Sequence, residues 1–252
     1  MTQTPLFEVR AVGRDFITGL RALDHVSLAV GSGDFVSLVG PSGCGKSTLL
    51  RLIAGLDEPT QGSINWPQGR PSAGDIGVVF QEPTLMPWAT VTENVRLPLR
   101  LTLRDGPWAA EVAAAIELVG LGEFAHSYPR QLSGGMKMRA ALARALVTKP
   151  RLLLLDEPFA ALDEITRFKL NEDLLRIWQA QGCSVLFVTH SVFEAVFLSR
   201  RIAVMSPRPG HITAESDISL PYPRLSSLRT EAAYGAQCRK ISDSLAQAMA
   251  TP

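Results

Sequence analysis

Cysteine, charge imbalance and long apolar runs are all scarce in this chain, and each shortage excludes a class of protein. Cys44, Cys183 and Cys238 are scattered and odd in number, with no C-x-x-C pair. Such a set builds neither a disulfide framework nor a zinc site, and it fits a reducing compartment. Formal net charge is +1 over 252 residues, so no bulk electrostatic case exists for nucleic acid as a partner. No run of about 18 apolar residues occurs, and the chain is expected not to span a membrane by itself. The longest runs, around Leu152–Leu155 and Val185–Val188, are strand-length. Met1-Thr2-Gln3-Thr4-Pro5 lacks a basic region followed by an apolar run, so no signal peptide is expected. Internal repeats and low-complexity segments are absent as well.

What is present begins with core material: 46% of the residues are hydrophobic, enough for one large α/β domain or a core with an inserted subdomain. Gly40-Pro41-Ser42-Gly43-Cys44-Gly45-Lys46-Ser47-Thr48 fits G-x-x-x-x-G-K-[ST], the phosphate-binding loop. Phe35–Val39 before it reads as a buried strand. Leu49, Leu50, Leu52 and Ile53 after it share one helix face. Strand, Gly-rich loop and helix are the context the motif requires. Glycines let the backbone curl so that N–H groups converge on phosphate oxygens, and the helix start adds partial positive charge. Lys46 is expected to reach the β- and γ-phosphates, and the Ser47 hydroxyl to bind Mg²⁺. Cys44 reads as a small filler, since such a loop works through its backbone.

Along the chain, Phe7–Val9 and Val26–Val30 read as strands before the loop, and Ile76–Phe80 as another after it. Pro83, Pro87 and Pro98 then break up a segment expected not to stay regular for long. Helical patterns follow from Pro107 to Val119 and from Met136 to Val147, the second with Ser133 as N-cap. Leu152–Leu155, four leucines without alternation, suit a strand buried on both faces, as in a parallel sheet. Ile165, Phe168, Leu175 and Trp178 mark a long amphipathic helix; Ser184–Thr189 and Ile202–Met205 read as strands, and Leu228 to Met249 as an appended helix.

Four apolar strands end in a polar feature: the phosphate loop, Gln81, Asp156-Glu157 and His190. In a parallel sheet the carboxyl ends lie along one edge, where ligands bind. Phosphoryl transfer to water needs a metal on the β- and γ-oxygens, and Asp156 is suited to hold it alongside Ser47. It also needs an oriented water relieved of a proton; Glu157, one residue on, suits that base. His190 and Gln81 are placed to contact the γ-phosphate or the attacking water. No N-K-x-D guanine-reading sequence occurs, which favours ATP over GTP.

From roughly Leu6 to Met205 the chain resembles the nucleotide-binding subunit of an ATP-binding cassette transporter, with its motifs in the right order. Leu132-Ser133-Gly134-Gly135-Met136 matches the family's signature, a far more specific sequence than the phosphate loop. Gln81 falls on the Q-loop, Leu152–Asp156 on the Walker B strand, Glu157 on the catalytic glutamate, Ala161-Leu162-Asp163 on the D-loop and His190 on the switch histidine. Phe16 falls where the family places an aromatic that stacks on adenine; Tyr is usual there, and Phe keeps the stacking face. The signature usually ends in Gln, whereas this one ends in Met136. The contacts expected from the Ser133 hydroxyl and from the N–H groups at that helix start, with Gly134 and Gly135, do not depend on it.

The resemblance implies ATP and Mg²⁺ as cofactors. It implies Ser47, Gln81 and Asp156 around the metal, and Phe16, residues 40–48, Gln81, Ser133, Gly134, Gly135 and Asp163 around the nucleotide. It implies a P-loop fold of α/β class with a RecA-like parallel-sheet core, an N-terminal antiparallel β-subdomain and an inserted α-helical subdomain near 87–149. The ATPase domain would span 1–206 and a C-terminal extension 207–252. The implied partners are a second copy of the chain, a membrane permease and, indirectly, a secreted or periplasmic solute-binding protein. The implied location is the cytoplasmic face of the cell (inner) membrane. Phe80–Trp88, Asp156–Asp163 and Ser206–Gly210 resemble the nitrate, sulfonate and taurine import branch in particular. Two rivals, a soluble cassette ATPase and a small-molecule kinase, fit less well. The chain shows neither long coiled coils nor a second cassette, and a kinase does not need Leu132–Gly135, Asp163 and His190 in that order. Leu85, Met86, Pro87 and Trp88 form an apolar cluster just after Gln81. It reads either as an exposed patch that receives a permease helix or as a plug between core and helical subdomain.

Overall fold

The computed structural model describes residues 4–102 and 106–250. In chain order its elements are β1 (Pro5–Asp15), β2 (Arg21–Gly31), β3 (Phe35–Val39), α1 (Lys46–Ile53), β4 (Gln61–Asn65), β5 (Ile76–Val79), α2 (Val91–Leu101), α3 (Ala109–Leu118), α4 (Gly134–Leu146), β6 (Leu152–Asp156), α5 (Glu164–Gln181), β7 (Ser184–Thr189), α6 (Val192–Leu198), β8 (Arg201–Met205), β9 (Ile212–Asp217) and α7 (Ala232–Ala250). They fall into two compact units, residues 1–70 with 184–252, and residues 71–183.

In the first unit, β1 pairs antiparallel with β2 and β4, giving a three-stranded sheet of order β2-β1-β4. Alternation builds it: Ala22, Leu23, Val26, Leu28 and Val30 are buried, while residues between them face outward. β3 lies between β7 and β8, parallel to both, with β9 antiparallel to β8. β3 and β7 are buried along their whole length, as the unbroken apolar runs predict for strands covered on both faces. α7 buries Tyr234, Cys238, Ile241 and Ala248.

The second unit holds β5 parallel to β6, together with α2 to α5. Leu152, Leu153, Leu154 and Leu155 are at most 1% exposed, each contributing about 1.5–3 kcal/mol of burial. One helix contradicts the expectation of irregularity after Pro83. α2 runs through Pro98, although an interior proline costs about 3 kcal/mol. A capping box offsets this: the Thr90 hydroxyl accepts from Glu93 N–H, and the Glu93 carboxylate accepts from Thr90 N–H at 2.6 Å. Val91, Val95 and Leu99 bury the face that carries the helix. No helix among the described residues is long and apolar enough to cross a membrane.

Candidate functional site

The phosphate loop leaves β3 at Gly40 and enters α1 at Lys46. Gly45, the N-cap, has φ 106°, and a Cβ there would lie 2.6 Å from Leu23 Cδ2 and 2.9 Å from the Ala22 carbonyl. Only glycine fits both demands. Lys46 is 4% exposed, and its Nζ donates to the carbonyls of Gly40 at 2.8 Å and Pro41 at 2.9 Å. The loop thus holds its own cation folded over its backbone. Cys44 is buried, and burial pushes its thiol pKa up, in keeping with a filler role.

His190 belongs to the same edge of the same unit. β7 and β3 are paired so that Thr189 lies opposite Val39; His190 and Gly40 each follow by one residue. His190 is exposed, and its turn is pinned from below. The Thr189 hydroxyl donates to Glu194 Oε2 at 2.6 Å and accepts from Ser191 N–H at 3.0 Å. Ser191 also caps α6, accepting from Glu194 N–H.

Phe16 follows β1 in a turn closed by Phe16 N–H to the Leu20 carbonyl and Gly19 N–H to the Phe16 carbonyl. The ring is half-buried, and the Arg14 guanidinium lies 5.2 Å from its centroid. Arg14 is itself held by Asp57 Oδ1 at 3.1 Å and the Glu58 carbonyl at 2.6 Å.

In the second unit, Val79 pairs with Leu155, so β5 and β6 end side by side. Gln81 follows the first by two residues; Asp156 is the last residue of the second, and Glu157 comes directly after it. Gln81 is exposed; Asp156 and Glu157 are half-buried. Glu157 has φ 45°, a left-handed conformation rare for residues other than glycine. Such strain concentrates where a side chain must be aimed.

Ser133 caps α4 and accepts from Met136 N–H at 3.3 Å, so the helix start expected from the sequence is present with Gly134 and Gly135 in its first turn. A Cβ on Gly135 would meet Thr166 Cγ2 at 2.8 Å, which explains the glycine by the close approach of α5. Asp163 caps α5 through Thr166 N–H at 2.9 Å; hydrogen bonds to Thr166 hold its carboxyl below the usual range.

Two positioning residues escaped the sequence reading. Arg144 of α4 donates to the Pro83 carbonyl at 2.9 Å and to the Thr84 carbonyl at 2.8 Å. It thereby ties the signature helix to the loop after Gln81. Asn94 is fully buried; it accepts from Met86 N–H at 2.7 Å and donates to the carbonyls of Met86, Ala89 and Thr90. With that loop so held, Trp88 is 76% exposed, which removes the reading of it as a plug. Nothing in the sequence signals either residue, because both act mainly on backbone N–H and C=O groups.

A Gly-rich loop between a buried strand and a helix, with its lysine in register, defines a phosphate-loop nucleotide-binding protein. Known proteins narrow the class. A model of the ABC transporter family matches residues 23–160. The nitrate import ATP-binding protein NrtD of Synechocystis sp. is 49% identical over 79% of this chain and 76% of its own. An aliphatic sulfonates import ATP-binding protein, SsuB of Bacillus cereus, is 47% identical over 81% of this chain and 82% of its own. The solved dimeric post-hydrolysis ATP-binding cassette MJ0796, bound to ADP and Pi, matches with TM-score 0.74 and 32% identity. It covers 85% of this chain and 100% of that one. The chain belongs to the ABC transporter family and is one of its ATP-binding, ATP-hydrolysing cassettes.

Proposed function

We propose that this cassette works as a homodimer on the cytoplasmic face of the cell membrane. There it powers import of a small anion, an aliphatic sulfonate, taurine or nitrate, through a permease. The observation that carries the reading is the pair of relatives named for nitrate and for sulfonate import, at 49% and 47% identity across most of this chain. A solute-binding protein outside the membrane would deliver the anion.

Within each site, residues 40–48 cradle the phosphates, and Lys46 exchanges its two loop carbonyls for phosphate oxygens. Phe16 stacks on adenine. The Ser47 hydroxyl, Asp156 and Gln81 would hold Mg²⁺, and this set of hard oxygen donors fits that ion, which takes few protein ligands beside nucleotide phosphates. Bound there, it would supply charge neutralisation at the transferred phosphoryl group. Glu157 accepts the proton of the attacking water, while His190 and Gln81 contact the γ-phosphate. Ser133, Gly134 and Gly135, followed by Asp163, act on the nucleotide of the partner copy.

Growth tests the solute class. A strain lacking this gene should lose growth on one of alkanesulfonate, taurine or nitrate as sole sulfur or nitrogen source, and regain it with the gene restored. Undiminished growth on all three contradicts the proposed solutes.

A further inference from the structure

Residues 220–234 lie in the stretch beyond the cassette motifs, and they converge on one short helix. α6 has seven residues and stands immediately after His190, too short to hold itself. Its last carbonyls lack partners within the helix. Arg224, 3% exposed, donates through Nη1 to the carbonyls of Val196 at 2.9 Å, Phe197 at 3.0 Å and Ser199 at 2.9 Å. Its Nη2 donates to the Leu220 carbonyl at 3.0 Å, which fixes the guanidinium within its own segment. Tyr222 Oη donates to the Leu198 carbonyl at 2.9 Å, and Tyr234 Oη to the Phe193 carbonyl at 2.8 Å. A buried cation at a helix C-terminus also meets the negative end of its dipole.

The other end of α6 holds the turn of His190. Glu194 is 5% exposed and accepts from the Thr189 hydroxyl, which in turn accepts from Ser191 N–H. Thr189 and Ser191 flank His190. A continuous path of hydrogen bonds and helix therefore runs from Tyr234 and Arg224, through α6 and Glu194, to the two neighbours of His190.

We propose that Arg224 and Tyr234 are positioning residues: they brace α6 so that His190 is held for the γ-phosphate, and they set the rate of hydrolysis without touching nucleotide. This rests on the role given to His190 above.

The test uses the full chain with Tyr234→Phe, which deletes one hydroxyl and keeps the ring, and Arg224→Lys, which keeps the charge but not the fork. Histidine NMR signals, four in all, are assigned with His190→Ala. The His190 signal should shift or broaden in both variants while that of His126 stays. ATP affinity should hold, and kcat should fall roughly threefold to tenfold, the scale of one net hydrogen bond. In a His190→Ala background Tyr234→Phe should cause no further loss. An unmoved His190 signal overturns the brace whatever His190 does in catalysis. An equal fall in kcat with and without His190 also overturns it, because the effect is then merely structural. If His190→Ala alone hydrolyses ATP normally, the role of His190 fails, even where its signal still reports the brace.

Discussion

Arg144 Nη1 donates to the Thr84 carbonyl at 2.8 Å across sixty residues of sequence. Its other nitrogen reaches the Pro83 carbonyl and the Thr84 hydroxyl. Thr84 sits at φ 46°, a conformation this grip helps to maintain. The helix that begins with the signature and the loop that begins with Gln81 are therefore joined through this side chain. Arg144→Met should destabilise the protein by about 1–3 kcal/mol, because the part-buried Pro83 carbonyl loses a charged donor and the Thr84 carbonyl loses its anchor. Urea denaturation measures it, and an unchanged midpoint counts against the grip.

The ring of Phe16 already has a cation beside it from Arg14. A ring contact to adenine adds on the order of 1 kcal/mol beyond its area. Phe16→Ala should weaken ATP binding roughly tenfold, and Phe16→Tyr or Phe16→Trp should preserve it. Equal affinity across all four proteins, by equilibrium titration, means that the ring only packs.

Trp88 stands out from a loop that Asn94 fixes by its backbone. Trp88→Ala should leave the melting temperature and ATP binding of the free subunit intact, since little of the side chain is buried. Permease recovery in a detergent pull-down should be lost. Full recovery of the permease moves the contact elsewhere.

Ser133 caps a helix start whose first turn carries Gly134 and Gly135, and the chain contains a single phosphate loop. Mixing Lys46→Ala chains with Ser133→Arg chains should yield heterodimers with one intact composite site that traps nucleotide. If wild type traps and the mixture never does, the signature does not act in trans.

Legibility followed burial. Phe35–Val39, Leu152–Leu155 and Ser184–Thr189 were readable because strands covered on both faces carry no exposed positions, so apolar residues run on with only small buried hydroxyls such as Ser37 among them. Gly40, Gln81, Asp156 and His190 drew attention because they stand at or just past the ends of apolar runs. β4, Gln61-Gly62-Ser63-Ile64-Asn65, gave no signal, since it is an outer strand with its first three residues exposed. β9 was hidden for a like reason, alternating half-buried and exposed positions in Ile212–Asp217. α2 was masked by Pro98, whose local cost is overridden by a cap and by buried valines. Arg144, Asn94 and Arg224 were invisible because their partners are mainly backbone N–H and C=O groups, which any sequence supplies.

The assignment of Glu157 as general base is the step on which the whole catalytic reading turns, and its left-handed backbone at the end of β6 motivates it. The direct measurement is steady-state ATP hydrolysis by Glu157→Gln beside its ATP affinity. Hydrolysis should fall about 10²–10⁴-fold, the usual worth of a positioned base. Affinity should stay within a factor of about two, and the variant should accumulate as an ATP-bound dimer on sizing. Near-normal turnover by Glu157→Gln contradicts the assignment.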